Sequence, residues 1–256
     1  MGDLFRIYAG IFGLLIGSFL NVVIYRLPLG RELVLARSAC PKCDAPIPWW
    51  CNIPVLSWVA LKGKCRSCAA PISVRYALVE LTAGLIFFLS FPSDLTSVRI
   101  FQWIFLAAIS SVLICHFFID LQHKILPDVL NIYLLCLVFP YALIFFAPIH
   151  WLSGGGFGFF GPFAVSWLFY KWKGKVGLGG GDIKLWGVLG IFLGPFGILE
   201  NIFMSCLLGS VVGISLILAK RYDRDGGIPF GPFIIVVSFV QIYFPGLIAK
   251  MGFQIF

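Results

Sequence analysis

The fold that the sequence predicts is an all-α polytopic membrane protein, with about eight transmembrane helices and one small extramembrane segment between the first and the second. Three observations predict it. Of 256 residues, 60% are hydrophobic and 12% charged, a balance that no soluble domain of this size keeps. The apolar residues gather in runs long enough to cross a hydrocarbon layer about 30 Å thick. The basic residues gather in the gaps, mostly in alternate gaps.

The runs are Leu4–Tyr25, Tyr76–Phe91, Ile100–Ile119, Val129–Ala147, Gly155–Tyr170, Ile183–Leu193, Gly197–Ala219 and Ile228–Ala249. The sixth is short and is closed by Gly194 and Pro195. The first ends in Asn21-Val-Val-Ile-Tyr-Arg26 instead of a small-residue cleavage site, and is expected to remain as a helix. Starting from an outer N-terminus, alternation leaves Arg6, Arg99 and Lys250 outside and every other Lys and Arg inside, which predicts both termini outside. The net charge of +8 thus follows topology and meets anionic lipid headgroups. It is not drawn onto one face, so a nucleic-acid partner is not expected. The domains expected are 1–25, a first transmembrane helix; 26–75, an inner-side domain; and 76–256, the remaining helices.

In the first run, Gly17, Ser18 and Asn21 form a small, polar stripe suited to close helix packing. The inner-side domain carries Cys40-Pro-Lys-Cys43 and, about twenty residues on, Cys65-Arg-Ser-Cys68. Two CxxC knuckles at this spacing place four thiolates around a tetrahedral zinc ion. With all four positions filled the zinc is structural, a staple that a domain of about fifty residues needs. Cys51, Cys115, Cys136 and Cys206 have no partner at metal spacing. Between the knuckles, Trp49-Trp50 and Trp58 make the chain too aromatic for a solvated loop and place it on the headgroup layer. Glu80, just inside the second run, is expected to pair with a nearby Arg.

Asp120 ends the uncharged run Ile100–Ile119, where a carboxylate is costly and asks for a reason. The link Asp120-Leu-Gln-His-Lys-Ile-Leu-Pro-Asp128 is broken by Pro127 and puts Asp128 at the same inner face. Gly154, Gly155, Gly156 and Gly158 read as a flexible turn on the outer side. Asp182 follows directly on Gly179-Gly-Gly181, with Lys184 two residues later. These glycines allow free turning and close approach, and a helix start there offers Asp182 free N–H groups. No GK[ST] follows, so this is not a phosphate loop. The last inner loop, Lys220–Gly227, leads into Ile228-Pro-Phe-Gly-Pro-Phe233, a stiff, close-packed helix entry.

Asp120 and Asp182 on separate helices at one depth suit aspartyl peptide hydrolysis, in which two carboxylates share a proton. Residue chemistry alone also admits a proton-coupled transporter using the same two carboxylates. No His-based metalloprotease motif or nucleophile elbow is present.

The chain resembles the type IV prepilin peptidases, membrane aspartic proteases of the GXGD kind. The matching stretches are Gly17–Pro28, both CxxC pairs, Asn52-Ile-Pro-Val-Leu-Ser-Trp58, Lys62-Gly-Lys-Cys65, Pro71–Tyr76 with Glu80, Ile119–Asp128 and Gly179–Lys184. The resemblance implies a bacterial inner-membrane enzyme serving pili, type II secretion or competence. Its substrate would be a prepilin or pseudopilin with a short basic leader in the cytoplasm and a hydrophobic mature N-terminus. Cleavage would follow the leader's last Gly. Asp120 and Asp182 match the family's catalytic aspartates, with Asp128 the alternative; Gly179, Gly181 and Lys184 match the supporting loop. Many members also methylate the new N-terminus with S-adenosylmethionine, an activity tied to the cysteine-bearing domain; no residue here marks the methyl donor's pocket. Cys51 departs from the acidic or polar residue expected before Asn52-Ile-Pro, which bears on methylation and not on proteolysis.

Overall fold

The computed structural model describes residues 2–33, 38–175, 177–219 and 228–245. Arg37, the loop Lys220–Gly227 and Lys250 with the end of the eighth run lie outside the described residues. All regular elements among the described residues are helical: α1 Gly2–Arg26, α2 Leu56–Ala60, α3 Arg75–Ser90, α4 Ser97–His123, α5 Asp128–Phe145, α6 Pro148–Lys173, α7 Gly180–Leu218 and α8 Gly231–Tyr243. Among the described residues, four stretches are long and apolar enough to cross a membrane: Asp3–Leu29, α4, α5 and α7. Helices satisfy their own backbone groups, which is what hydrocarbon demands of a spanning segment. The chain forms two compact units, residues 1–115 and 116–256.

In the first unit α1 packs on α3 through small residues, as the stripe at Gly17 predicts. A Cβ added at Gly17 would lie 2.6 Å from Glu80 Cα, and one at Gly13 2.7 Å from the Ala83 carbonyl oxygen. Backbones approach this closely only where one of the facing positions carries no side chain. Asn21 donates from Nδ2 to the Tyr76 carbonyl at 3.0 Å, tying the end of α1 to the start of α3. Trp103 on α4 donates to the Phe87 carbonyl at 3.3 Å and meets the Phe87 and Phe91 rings edge-on. Trp49 and Trp50, between the cysteine knuckles, are exposed, as a segment lying on headgroups would be.

In the second unit α6 lies along α7. Gly154, Gly155, Gly156 and Gly158 are not a turn, as their composition had implied, but the second and third turns of α6. The glycines stay helical and serve close approach to α7 instead. A Cβ at Gly154 would fall 2.1 Å from the Gly190 carbonyl oxygen, and one at Gly190 2.2 Å from that of Gly154. The sixth and seventh apolar runs are two helical segments, together labelled α7, parted by a kink at Gly194 (φ 72°, ψ −179°) beside Pro195. His150 fills the break and its ring nitrogen lies 3.3 Å from the Phe192 carbonyl. Beyond the break, Asn201 joins α7 to α8. It accepts from Trp186 at 3.0 Å and donates to Ser238 at 3.0 Å and Gln241 at 2.8 Å, all four side chains being buried.

Candidate active site and metal centre

The carboxylates Asp120, Asp128 and Asp182 all belong to the second unit. Asp120 sits in the last turn of α4, only 5% exposed. The end of a helix is a poor place for a carboxylate, because unpaired carbonyls crowd it with negative partial charge. The opposite end of another helix offsets this: the Gly231 N–H, first in α8, donates to Asp120 Oδ2 at 2.9 Å. Asp120 also closes its helix, its carbonyl accepting from Lys124, whose φ of 54° ends α4. Pro127 then sets the entry to α5, as its place in the link predicts.

Asp182 is the third residue of α7, half-buried, and its carboxylate accepts the N–H of Gly179, the residue that caps the helix. This is one half of a capping box, in which a side chain in the first turn reaches back to the cap. The charges of Asp120 and Asp182 lie within electrostatic reach of one another. Asp128 begins α5, is exposed, and pairs with Lys184 Nζ at 2.7 Å. Leu126 lies against both Gly231, which contacts Asp120, and Gly181, next to Asp182, while Asp128 is engaged with a cation.

The glycines before Asp182 divide by role. None of them has a positive φ, so free turning is not what they provide. A Cβ at Gly179 would sit 2.7 Å from Asp182 Oδ2, and one at Gly181 2.9 Å from Leu126 Cβ, whereas at Gly180 it would meet nothing within 4 Å. Gly180→Ala is expected to leave peptide cleavage intact. Gly179→Ala displaces the flexible carboxylate at little cost in stability, and a misplacement of about 1 Å at a reacting group costs about 100-fold in rate. Equal activity in the two purified variants would refute this division.

Gly231 is the contact that the sequence did not single out. Its stretch, Ile228–Phe233, read only as a stiff helix entry, yet a Cβ there would lie 2.8 Å from Asp120 Oδ2. The two prolines around a glycine were the available signal, since they place an unencumbered N–H at a helix start.

In the first unit, Glu80 accepts the Val55 N–H at 2.7 Å, a backbone partner where an arginine was expected. Val55 holds φ 61° and ψ −50°, with the Leu56 N–H bonded back to the Pro54 carbonyl at 2.6 Å. That is a γ-turn of the strained kind, rare for a β-branched residue, and Glu80 holds it in place.

The four predicted metal ligands converge. The Sγ atoms of Cys40, Cys43, Cys65 and Cys68 all lie within 4.8 Å of one another, with Cys40 and Cys68 at 3.9 Å. A tetrahedral ion with arms of about 2.3 Å to sulfur needs edges of about 3.8 Å, so the cluster fits one. The knuckles share a backbone plan. Cys40 and Cys65 donate to Ala45 and Ala70, accept from Asp44 and Ala69, and are flanked by the bridges Ala39–Pro46 and Lys64–Pro71. Without a metal the clustered thiols shift in opposite directions: the N–H groups of Cys68 and then Ser67 push the Cys65 thiol down to about 6, while the neighbouring cysteines help to push the Cys43 thiol up to about 12.

Residues 11–93 match the model of the bacterial Peptidase A24 N-terminal domain and residues 106–214 that of the type IV leader peptidase family. A prepilin leader peptidase/N-methyltransferase of Aeromonas hydrophila is 37% identical over 260 residues, covering 91% of this chain and 88% of its own. One of Pseudomonas aeruginosa is 34% identical over 272 residues, covering 94% and 91%. One of Myxococcus xanthus is 38% identical over 226 residues, covering 85% and 65%. No solved structure matches. Identity of this order over nearly the whole length, on two adjoining family models, means that the chain belongs to the type IV leader peptidase family.

Proposed function

We propose that the protein is an aspartic endopeptidase of the bacterial inner membrane that removes the short basic leader from type IV prepilins or pseudopilins at the cytoplasmic face. The observation that supports the proposal is that Asp120 and Asp182 lie at the ends of two helices of the same unit, within electrostatic reach of one another, with the Gly231 N–H on the Asp120 carboxylate. The names of the relatives supply the substrate class.

The pair acts as a unit. One carboxylate, ionised, takes a proton from water as the water oxygen adds to the scissile carbonyl carbon. The other, protonated, gives its proton to the carbonyl oxygen. Collapse of the tetrahedral adduct breaks the C–N bond: the second carboxylate takes back a hydroxyl proton as the carbonyl re-forms, and the proton held by the first carboxylate leaves on the amine. The Gly231 and Gly179 N–H groups hold the two side chains for this exchange. Asp128, paired with Lys184, supports the loop and takes no part in it. The reading places the knuckle domain, the active site and most basic residues on the cytoplasmic side and both termini outside. Methylation of the new N-terminus by S-adenosylmethionine is carried by the relatives' names and enters no step above.

The test is purified protein in detergent with a prepilin whose leader ends in Gly, and mass spectrometry of the products. One cut after that Gly is expected. A precursor left whole by folded protein would sink the proposal.

In the same reading the four cysteines hold structural zinc. Metal analysis of the purified protein should return about one zinc per chain. Its removal should open residues 38–72 to protease and leave the thermal unfolding of the second unit near its original midpoint, because the domain lacks a core of its own. Purified protein free of zinc, with that segment still protected, would show the cluster to be a thiol cluster only.

A further inference from the structure

A groove of about 430 Å³ opens in the second unit between α5, α6 and α7. From α5 it is lined by Asp128, Asn131, Ile132 and Leu135, and from α7 by Lys184, Gly187, Val188 and Ile191. Both sets follow the i, i+3, i+4, i+7 spacing of a single helix face. The two helices therefore run alongside the groove in one direction, from the Asp128–Lys184 ion pair toward an apolar end. At 1.5 Å per residue the groove is about 10 Å long, room for about three residues of extended chain. Its polar end starts two residues beyond Asp182 on the same helix.

One side chain in this groove is out of balance. Asn131 is 4% exposed, yet neither its Oδ1 nor its Nδ2 has a hydrogen-bond partner. A buried amide left unpaired costs free energy, so its place on a groove wall one turn from the ion pair calls for a ligand. An acyl chain has nothing to offer it. A peptide group has one donor and one acceptor, the complement of the amide. A helical substrate keeps its peptide groups bonded to itself, but presenting a scissile bond to two carboxylates requires it to unwind. Each residue that unwinds frees a donor and an acceptor that hydrocarbon cannot satisfy.

We infer that this groove receives the apolar segment of the substrate just C-terminal to the scissile bond, and that Asn131 bonds a peptide group of its unwound part. The inference rests on the peptidase reading, and it makes Asn131 a substrate-binding residue. The basic leader is unsuited to the apolar end formed by Ile132, Leu135, Phe159 and Ile191.

The experiment uses the full chain in detergent with a prepilin precursor. Asn131→Leu removes an unpaired buried amide without breaking a bond, so the thermal midpoint should hold or rise. KM should rise roughly tenfold, the scale of one buried hydrogen bond, with kcat nearly unchanged. In a second arm a photo-crosslinking residue replaces Ile132, which is 60% exposed, in protein that also carries Asp120→Asn and Asp182→Asn. The crosslink should map to the first few residues after the scissile bond. A fall in midpoint with KM unchanged would make Asn131 a structural residue and overturn the inference. A crosslink to the leader, to lipid alone or to nothing would overturn it as well. If the unsubstituted protein cuts no precursor while the crosslink still forms at the expected place, the groove assignment stands and the peptidase reading falls.

Discussion

Asp120→Asn and Asp182→Asn are each expected to reduce leader cleavage by about 10⁴-fold while leaving the protein folded. Asn matches the shape of Asp but can neither take up a proton from water nor deliver one to a carbonyl, and positioned acid–base groups are worth about 10²–10⁴ each. The two losses should not multiply. Groups that act as one unit cost nearly as much singly as together, so the double variant should sit close to either single one. Asp128→Asn should cost far less, because that side chain is exposed and paired with Lys184 across the loop. The assay is leader release from a prepilin, read by gel shift and mass, with circular dichroism as the folding control. Full activity in either Asn variant would move the chemistry to another carboxylate, and a collapse in Asp128→Asn alone would identify it.

The second large effect concerns assembly. Gly154→Leu and Gly190→Leu are each expected to prevent a stable fold, with a loss of at least about 3 kcal/mol, the upper part of the usual overpacking range. The reason is what the new side chain meets. At both positions the obstacle is a carbonyl oxygen of the opposite helix, not the movable end of a side chain. Only separation of α6 from α7 would relieve it, and α7 carries Asp182. Gly156 is the control: a Cβ there meets nothing within 4 Å. Gly156→Ala should stabilise α6 by about 1 kcal/mol through helix propensity alone. Thermal unfolding in detergent, with monodispersity by size exclusion, separates these outcomes. Equal midpoints for Gly154→Leu and Gly156→Leu would show that the helices do not meet along this seam.

These glycines also mark where sequence reading fails and why. In water, Gly154, Gly155, Gly156 and Gly158 would signal a turn, because glycine gains most from leaving a helix. In an apolar surrounding that gain disappears, and the same residues signal a seam. The stripe at Gly17 and Asn21 read correctly because it was judged by helical spacing instead of composition. The cysteine knuckles were legible for a similar reason: metal geometry constrains their spacing whatever surrounds them. The aspartates stood out because a carboxylate is out of place at the end of an apolar run. Their approach to one another did not, since it depends on helix packing over long sequence separations. Gly231 was hidden more deeply, because its contribution is a backbone N–H, and any residue but proline has one.

The polar contacts that join α7 to α8 bear on how the chain enters the membrane. Glu200, Asn201 and Ser205 lie on α7; on α8, Ser238 and Gln241 accept from Asn201 and Gln241 donates to Glu200 at 3.4 Å, while Ser205 donates to Asn201 within α7. During synthesis α7 is delivered first, with Glu200 six residues past the break at Gly194 and without the Gln241 amide that donates to it in the folded chain. Its second half is thus a poor passenger alone and a good one in company. The second half of α7 is therefore expected to settle in lipid only after α8 has been translated, the two entering together.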